Sequence, residues 1–344
     1  MKAILIKEFG KPLKLEDVDV PKLKQNQVLI RVRSAGVCHT DVSVRSGTIY
    51  KRVSVNPPKL PFIPGHEIAG VIEDIGDEVI GFTKGDKVII NPWQGEGNCY
   101  YCKIGEEQYC DFPIWLGIST NGGYAEYVVS NFNYVYKVNK LSVEEASPLA
   151  CAGVTAYRAA RLANLTPSKY AMIIGAGGGL GSFGVQIVKA LYGSTVIAVD
   201  INEEGLKLAS ILGADYVING KDQSLFQEIL RITEGRGVDA ILDFVGSEST
   251  IKNYYITLAK LGRYIKVGTF GGGLPQEAGL KLHSMGWEFI GTLTGNRRDF
   301  LEIIKLAESG KIRIVVTKLS LEEANEALDN LESNKVTGRQ VLIP

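Results

Sequence analysis

Between Met1 and about Leu149 the apolar residues come in short blocks separated by turn signals. Val28-Leu29-Ile30-Arg31-Val32, Ile68-Ala69-Gly70-Val71-Ile72, Lys87-Val88-Ile89-Ile90 and Tyr124-Ala125-Glu126-Tyr127-Val128-Val129 are each of strand length. Gly76-Asp77-Glu78 and Lys84-Gly85-Asp86 lie between them as turns. The pattern predicts an all-β region, barrel-like with long loops. Ser142-Val143-Glu144-Glu145-Ala146 carries a helix-capping signature, and helical spacing continues past Cys151 through Tyr157 to Leu162.

From Tyr170 the period changes. Tyr170-Ala171-Met172-Ile173-Ile174 is an apolar run that suits a buried parallel strand. It breaks into Gly175-Ala176-Gly177-Gly178-Gly179-Leu180-Gly181, and apolar residues then recur at helical spacing through Phe183, Val185, Ile187, Val188 and Leu191. A second run, Thr195 to Val199, ends in an acid, Asp200. Strand, glycine turn, helix, strand and acid form the signature of a dinucleotide-binding unit. The glycines allow a tight turn and close approach of a pyrophosphate, which sits on exposed N–H groups at the helix start. Asp200 can accept both hydroxyls of an adenosine ribose and repels a 2′-phosphate, so NAD is favoured over NADP. The glycine run is one residue longer than the six-residue pattern; the flanking strands, the helix and the acid carry the reading. Further alternation follows: helices over 204–212 and 225–233, and strands at 216–218, 240–245 and 263–267. Such alternation predicts a parallel, doubly wound sheet. After Gly291, helical patterns at 299–309 and 321–332 precede a last strand at 340–343.

Composition narrows the partners. The chain has 344 residues, 45% hydrophobic and 22% charged, enough for two ordinary globular domains. Lys+Arg and Asp+Glu both number 38, so no basic field argues for nucleic acid or a membrane surface. No apolar run approaches the roughly 20 residues of a membrane span. Met1-Lys2-Ala3-Ile4-Leu5-Ile6 runs straight into a strand pattern and lacks a signal-peptide core, so a cytoplasmic location is expected. Five cysteines and three histidines, an odd thiol count, point to metal or reactive chemistry rather than disulfides.

Glu96, Cys99, Cys102 and Cys110 lie in one loop rich in Gly, Asn and Pro. One carboxylate and three thiolates can close a tetrahedral zinc shell, and a shell without an open position is structural. A redox dithiol is the alternative for Cys99 and Cys102, but that motif opens a helix and lacks a third thiol. That leaves Cys38 and Cys151, with His39, His66 and His283 as the histidines, and spacing alone is a weak guide to the set Cys38, His66 and Cys151. Singly, a buried cysteine is a small core hydrophobe. Together they are two sulfurs and one imidazole, a three-ligand set that leaves a fourth zinc position for water or substrate.

With these residues in view the chain resembles a zinc-dependent medium-chain alcohol dehydrogenase from end to end. Gly36-Val37-Cys38-His39-Thr40-Asp41, Gly65-His66-Glu67, the Glu96/Cys99/Cys102/Cys110 loop, Cys151 to Thr155, the glycine run with Asp200, and Gly338-Arg339 carry the resemblance. Glu96 in place of a fourth loop cysteine is similar to the branch found in heat-loving archaea. The resemblance implies an α/β plus β fold. A GroES-like β-barrel catalytic domain spans 1–152, a Rossmann NAD-binding domain with a doubly wound parallel sheet spans 153–291, and residues 292–344 complete the first.

It further implies NAD-dependent, reversible oxidation of primary or secondary alcohols to aldehydes or ketones by a homotetramer or homodimer. The oxidoreductase would hold two zinc ions per chain. Catalytic zinc on Cys38, His66 and Cys151 polarises the alcohol oxygen; structural zinc takes Glu96, Cys99, Cys102 and Cys110. Thr40 accepts the substrate proton, Glu67 approaches the metal during ligand exchange, and Asp41 orients a ligand. His39 and Arg339 sit near the pyrophosphate and Thr155 near the carboxamide. Val267, Gly268 and Thr269 contact the nicotinamide ring, beside the turn of Gly175, Gly177, Gly178, Gly179, Leu180 and Gly181. Trp93 and Trp115 line an apolar alcohol pocket in this reading; exposed loop tryptophans otherwise serve interfaces. Ser43 stands where many relatives end a proton relay in histidine, and His283 has no assigned role. Rival readings are a polyol or threonine dehydrogenase of the same family, or an inactive zinc-stabilised binding protein.

Overall fold

A computed structural model of the chain describes residues 1–53 and 55–344. They fall into two units. The first comprises Met1–Cys151, Asn296–Gly310 and Ile314–Pro344; the second comprises Ala152–Gly295 and Lys311–Arg313. Among the described residues no helix is long and apolar enough to cross a membrane.

The first unit is built on a sheet of seven strands around Gln27–Val37. Val28, Ile30 and Val32 point into the core while Arg31 and Arg33 face solvent, the alternation of a half-buried strand. Beyond Val32 both faces close, and Ser34 to Val37 are buried. This strand pairs antiparallel with Glu67–Ile75, Arg339–Ile343 and Tyr127–Asn131. Lys87–Ile90 and Val135–Lys137 extend one side, and Val316–Ser320 pairs parallel with Arg339–Ile343 on the other. The last strand of the chain is thus an interior strand of the first unit.

The second unit is a six-stranded parallel sheet in the order Tyr216–Asn219, Thr195–Asp200, Tyr170–Ile174, Val238–Asp243, Leu258–Lys266, Glu288–Gly291. Its central strands are apolar on both faces: Ala171, Met172, Ile173, Val196, Ile197, Ala240 and Ile241 are all buried, as a sheet sandwiched between helices requires. The strand order reverses between Tyr170–Ile174 and Val238–Asp243, which places the switch point at the carboxyl end of the strand feeding Gly175. The expected fold class, a β unit with a doubly wound parallel sheet, is the one observed.

Two local expectations are corrected. Ser142 does not cap a helix: its hydroxyl meets Glu144 at 2.7 Å, and the segment passes through a short 3-10 turn, Ser147–Ala150, before the helix Ala152–Leu162 begins. Val143 is pulled out of helical geometry because its carbonyl accepts the buried Ser34 hydroxyl at 2.6 Å. The strand expected from Tyr124 starts at Tyr127, since Tyr124 and Ala125 are drawn instead to Pro64 and Ala3.

Candidate functional site

Sheet register assembles the first cluster. Gly36 lies opposite Glu67, and Val37 lies opposite Gln340. Cys38, His66, Glu67 and Arg339 therefore arrive at one end of three neighbouring strands. A side chain on Gly36 would collide with the Glu67 carboxylate, so glycine is required there. Cys151 comes in from the fully buried Ser147–Ala150 turn. One ligand atom from each of Cys38, His66, Glu67 and Cys151 lies within 4.8 Å of the others.

The orientation of His66 is fixed from behind. Its Nδ1 is 2.9 Å from Asp41 Oδ1, both side chains being fully buried. A carboxylate only accepts, so Nδ1 carries a proton, and Nε2 is the ring nitrogen left for a metal. That Nε2 is buried with no hydrogen-bond partner among the described residues. A buried polar nitrogen without a partner is costly unless something meets it, and metal-binding imidazoles are held from behind in this way. Asp41 is itself locked: its Oδ2 accepts the Cys38 N–H at 3.0 Å and the Tyr124 hydroxyl at 3.2 Å.

Charge is arranged to favour a thiolate. A hydrogen bond from Cys151 holds Cys38 well below the ordinary thiol range, with burial opposing and His66 assisting. Cys151 is pushed up by the same bond and by burial. Burial works to lower His66, but Asp41 outweighs it and the ring is raised. Burial pushes Glu67 up to about 7, against the pull of Arg339, whose guanidinium forms a buried ion pair with it. These directions belong to the protein without a cation. A divalent ion on the two sulfurs would hold both deprotonated. The donor set fits zinc.

The second cluster is local. Cys99 Sγ lies 3.5 Å from Cys102 Sγ and 3.7 Å from Cys110 Sγ. A tetrahedron with zinc–sulfur bonds of about 2.3 Å has edges of about 3.8 Å, so the sulfurs are spaced for one ion. Glu96 and Phe112 both send backbone N–H groups to Cys110 Sγ at 3.4 Å, which fix the sulfur in place. The Glu96 carboxylate accepts the N–H groups of Cys99 and Asn98, which hold it below the usual range, and it joins the three sulfurs within 4.8 Å. The paired strands Trp93–Gln94 and Ile114–Trp115 close the base of the loop.

In the second unit, Gly175 takes a left-handed φ of 74° directly after its strand, and the helix Gly181–Tyr192 starts beyond the turn. Gly177 and Gly181 have no room for a Cβ, the first against Gly205 and the second against the Gly175 carbonyl. Asp200 ends its strand with Oδ2 accepting the Gly177 N–H at 2.8 Å and Oδ1 accepting the Asn202 N–H at 3.0 Å. The acid therefore ties the turn to its own strand end. Val267 and Gly268 leave the neighbouring sheet region with both N–H groups on the Asp243 carbonyl. Thr155, in the helix Ala152–Leu162, donates to the Thr294 hydroxyl at 3.1 Å.

Other expected residues are placed as follows. His39 and Thr40 open the helix His39–Ser46, both half-buried; burial lowers the His39 imidazole. Trp93 and Trp115 are each 5% exposed, so the interface reading for exposed tryptophans does not apply. Their rings meet edge to face at 5.2 Å, and Trp93 lies 5.5 Å from the His66 ring. His283 is on the surface. Two residues carried no signal of their own in the sequence. Tyr124 was legible only as the first residue of a strand, and Thr294 as an ordinary loop hydroxyl.

Comparisons with known proteins come from the whole chain. Residues 24–140 match the alcohol dehydrogenase GroES-like domain family, and residues 179–309 the zinc-binding dehydrogenase family. An NAD-dependent alcohol dehydrogenase of Sulfolobus acidocaldarius is 66% identical over 344 residues, covering 99% of each chain. One from Sulfurisphaera tokodaii is 55% identical over all of both chains. The crystal structure of the alcohol dehydrogenase from Aeropyrum pernix superposes with a TM-score of 0.92 at 40% identity, covering both chains fully.

Proposed function

Since the chain belongs to the zinc-dependent medium-chain alcohol dehydrogenases, in the thermophilic archaeal branch, we propose that it oxidises primary or secondary alcohols reversibly to aldehydes or ketones with NAD. The observation that carries this reading is the His66 imidazole. Asp41 fixes its tautomer, and a partnerless buried nitrogen faces two sulfurs.

Cys38, His66 and Cys151 would hold one zinc, and Glu96, Cys99, Cys102 and Cys110 a second, two per chain. Bound at the first set, the metal supplies Lewis-acid polarisation of an alcohol hydroxyl. The rest is done by the chain. Asp41 keeps His66 in its ligating tautomer. Glu67, with one carboxylate oxygen lacking a hydrogen-bond partner, lies within the donor cluster and serves ligand exchange. Thr40 takes the proton from the substrate hydroxyl and passes it toward Ser43, on the same face of the helix at i,i+3. Trp93, beside His66, gives the alcohol an apolar wall with Trp115, which favours medium-length or aromatic alcohols over sugars.

For the cofactor, Gly175, Gly177, Gly178, Gly179, Leu180 and Gly181 receive the pyrophosphate at the helix start, and Asp200 accepts the ribose hydroxyls. Thr155, Val267, Gly268 and Thr269 orient the nicotinamide. Arg339 supplies positive charge toward the phosphates, and His39 lies near the pyrophosphate as a hydrogen-bond donor, burial having lowered its imidazole. We further place the protein in the cytoplasm as a homotetramer or homodimer, with a GroES-like catalytic domain over 1–152 that 292–344 completes and a Rossmann NAD-binding domain over 153–291. The test is a panel of alcohols followed at the NADH absorbance, with zinc counted in the same preparation. Activity with two zinc per chain is expected. Full activity with a single zinc would defeat the assignment of Cys38, His66 and Cys151.

A further inference from the structure

We propose that Tyr124 is a positioning residue for the Cys38–His66–Cys151 metal centre, acting through Asp41 on the orientation of His66. The inference rests on the metal centre proposed above and adds a residue outside its donor set.

Tyr124 is fully buried and grips the His66 segment from two sides. Its ring lies over Gly65, where any Cβ would strike the ring, and Gly65 holds a left-handed φ of 92°. Backbone bonds reinforce the contact: Tyr124 N–H donates to the Pro64 carbonyl at 3.0 Å and Gly123 N–H to the Gly65 carbonyl at 2.7 Å. The residue immediately before His66 is thus held between the Tyr124 ring and two backbone hydrogen bonds. At its far end the Tyr124 hydroxyl reaches Asp41 Oδ2 at 3.2 Å, with the Gly36 carbonyl as a second acceptor at 3.4 Å. A phenol has one proton, and the anionic acceptor at the shorter distance takes it.

Asp41 thereby has three donors on two oxygens. His66 Nδ1 holds Oδ1, while the Cys38 N–H and the Tyr124 hydroxyl hold Oδ2. Removing the hydroxyl leaves Oδ2 with the Cys38 N–H alone, and the carboxylate can then swing about that bond, carrying Nδ1 with it. A ring needed only to fill space has no use for a buried hydroxyl, which costs free energy unless it is paired. The pairing chosen is the carboxylate behind a metal ligand.

The test compares the zinc-loaded full-length protein with Tyr124→Phe, Asp41→Asn and the double variant. Zinc release to a chromophoric chelator is followed over time, and the Glu96/Cys99/Cys102/Cys110 site serves as an internal control. Losing a direct partner of a ligating histidine typically weakens metal binding about 10- to 100-fold, and Tyr124 acts one bond further out. Tyr124→Phe is therefore expected to release the zinc at Cys38, His66 and Cys151 roughly 3- to 10-fold faster. The loop zinc should leave at the wild-type rate, and NADH affinity should not change. Because the hydroxyl acts through Asp41, the double variant should be no faster than Asp41→Asn alone. An unchanged release rate in Tyr124→Phe, equal acceleration at both sites, or additive effects in the double variant would each overturn the proposal. If the wild-type protein carries zinc only in its loop, the metal-centre reading itself fails, a result visible before any variant is made.

Discussion

Glu96, Cys99, Cys102 and Cys110 come from one short loop, whereas Cys38, His66, Glu67 and Cys151 come from three distant parts of the chain, yet both sets bring four donors within 4.8 Å. Between its paired base strands the loop carries only a four-residue helix, Tyr100–Lys103, and a 3-10 turn, Glu107–Tyr109. It is tied by Glu96 and Cys110 to nearby backbone N–H groups, and Tyr100, Ile104 and Phe112 around it are exposed. A cation there replaces a core and contributes folding free energy directly. The other cluster is made by sheet register and buried hydrogen bonds that exist without any ion. A metal there finds its ligands already aimed. The two sites should thus respond oppositely to loss of metal: one in stability, the other in chemistry.

The largest expected effect breaks the prebuilt site. Cys38→Ala removes one of the three proposed ligands and should lower kcat/KM for alcohols by about 1,000-fold or more, the scale on which Lewis-acid activation acts. NADH titration should show the cofactor still bound, since the glycine turn and Asp200 lie in the other unit. Retained turnover would contradict the zinc mechanism. The counterpart in the loop is Cys110→Ala, which also strips the Glu96 and Phe112 N–H groups of their acceptor. A structural shell worth several kcal/mol corresponds to a fall in Tm of about 5 °C in a chain of this size. Differential scanning calorimetry would record it, and turnover per loaded catalytic centre at low temperature should stay on the wild-type scale. A large loss of turnover without a shift in Tm would erase the distinction between the sites.

The two clusters also differed in how far the sequence disclosed them. The loop could be read directly because its donors are close along the chain and the spacing is itself the geometry. The glycine turn was legible for the same reason, with strand, turn and helix consecutive. Cys38, His66 and Cys151 were visible only as donor types without a telling spacing, and the family resemblance is what joined them to a role. What unites them is the pairing of Gly36 with Glu67 and of Val37 with Gln340, contacts that no local pattern encodes. Tyr124 was hidden for a related reason. It read as the first residue of a strand, but its backbone is claimed by Pro64 and its hydroxyl by Asp41. The Ser142 cap failed because a long-range bond, from Ser34 to the Val143 carbonyl, outweighed a local preference. The strand Val316–Ser320 was likewise missed. Its residues are half-exposed or exposed, without a clean alternation, and it exists because Arg339–Ile343 lies beside it.

A third prediction extends the comparison to the cofactor unit, where one side chain performs both kinds of task. Asp200 is expected to bind the ribose, and it also holds the Gly177 N–H at 2.8 Å. Asp200→Gly should shift the ratio of kcat/KM for NAD over NADP by about 10- to 100-fold toward NADP, the value of one charge repulsion relieved together with lost hydrogen bonds. Because the turn loses its tether, the KM for NAD should rise as well. An unchanged ratio with a raised KM would mean that Asp200 serves the turn alone.

The smallest effect concerns how the prebuilt site returns its proton to water. Thr40 and Ser43 stand at i,i+3 on the helix His39–Ser46, and Ser43 is half-buried with its carbonyl accepting the Ser46 hydroxyl at 3.1 Å. A serine can pass a proton but cannot store one near neutral pH. Ser43→His adds a group with an ordinary pKa of about 6.5, which is mostly unprotonated above that value and able to accept. At pH 7, with dilute buffer, kcat for alcohol oxidation should rise roughly 2- to 3-fold, a small part of what general-base catalysis can supply because water already serves. The gain should vanish below about pH 6, where the new imidazole is protonated, and in concentrated buffer, which accepts the proton instead. A kcat in the wild-type protein that is indifferent to buffer concentration would show that proton release does not limit turnover, and the substitution would then have nothing to improve.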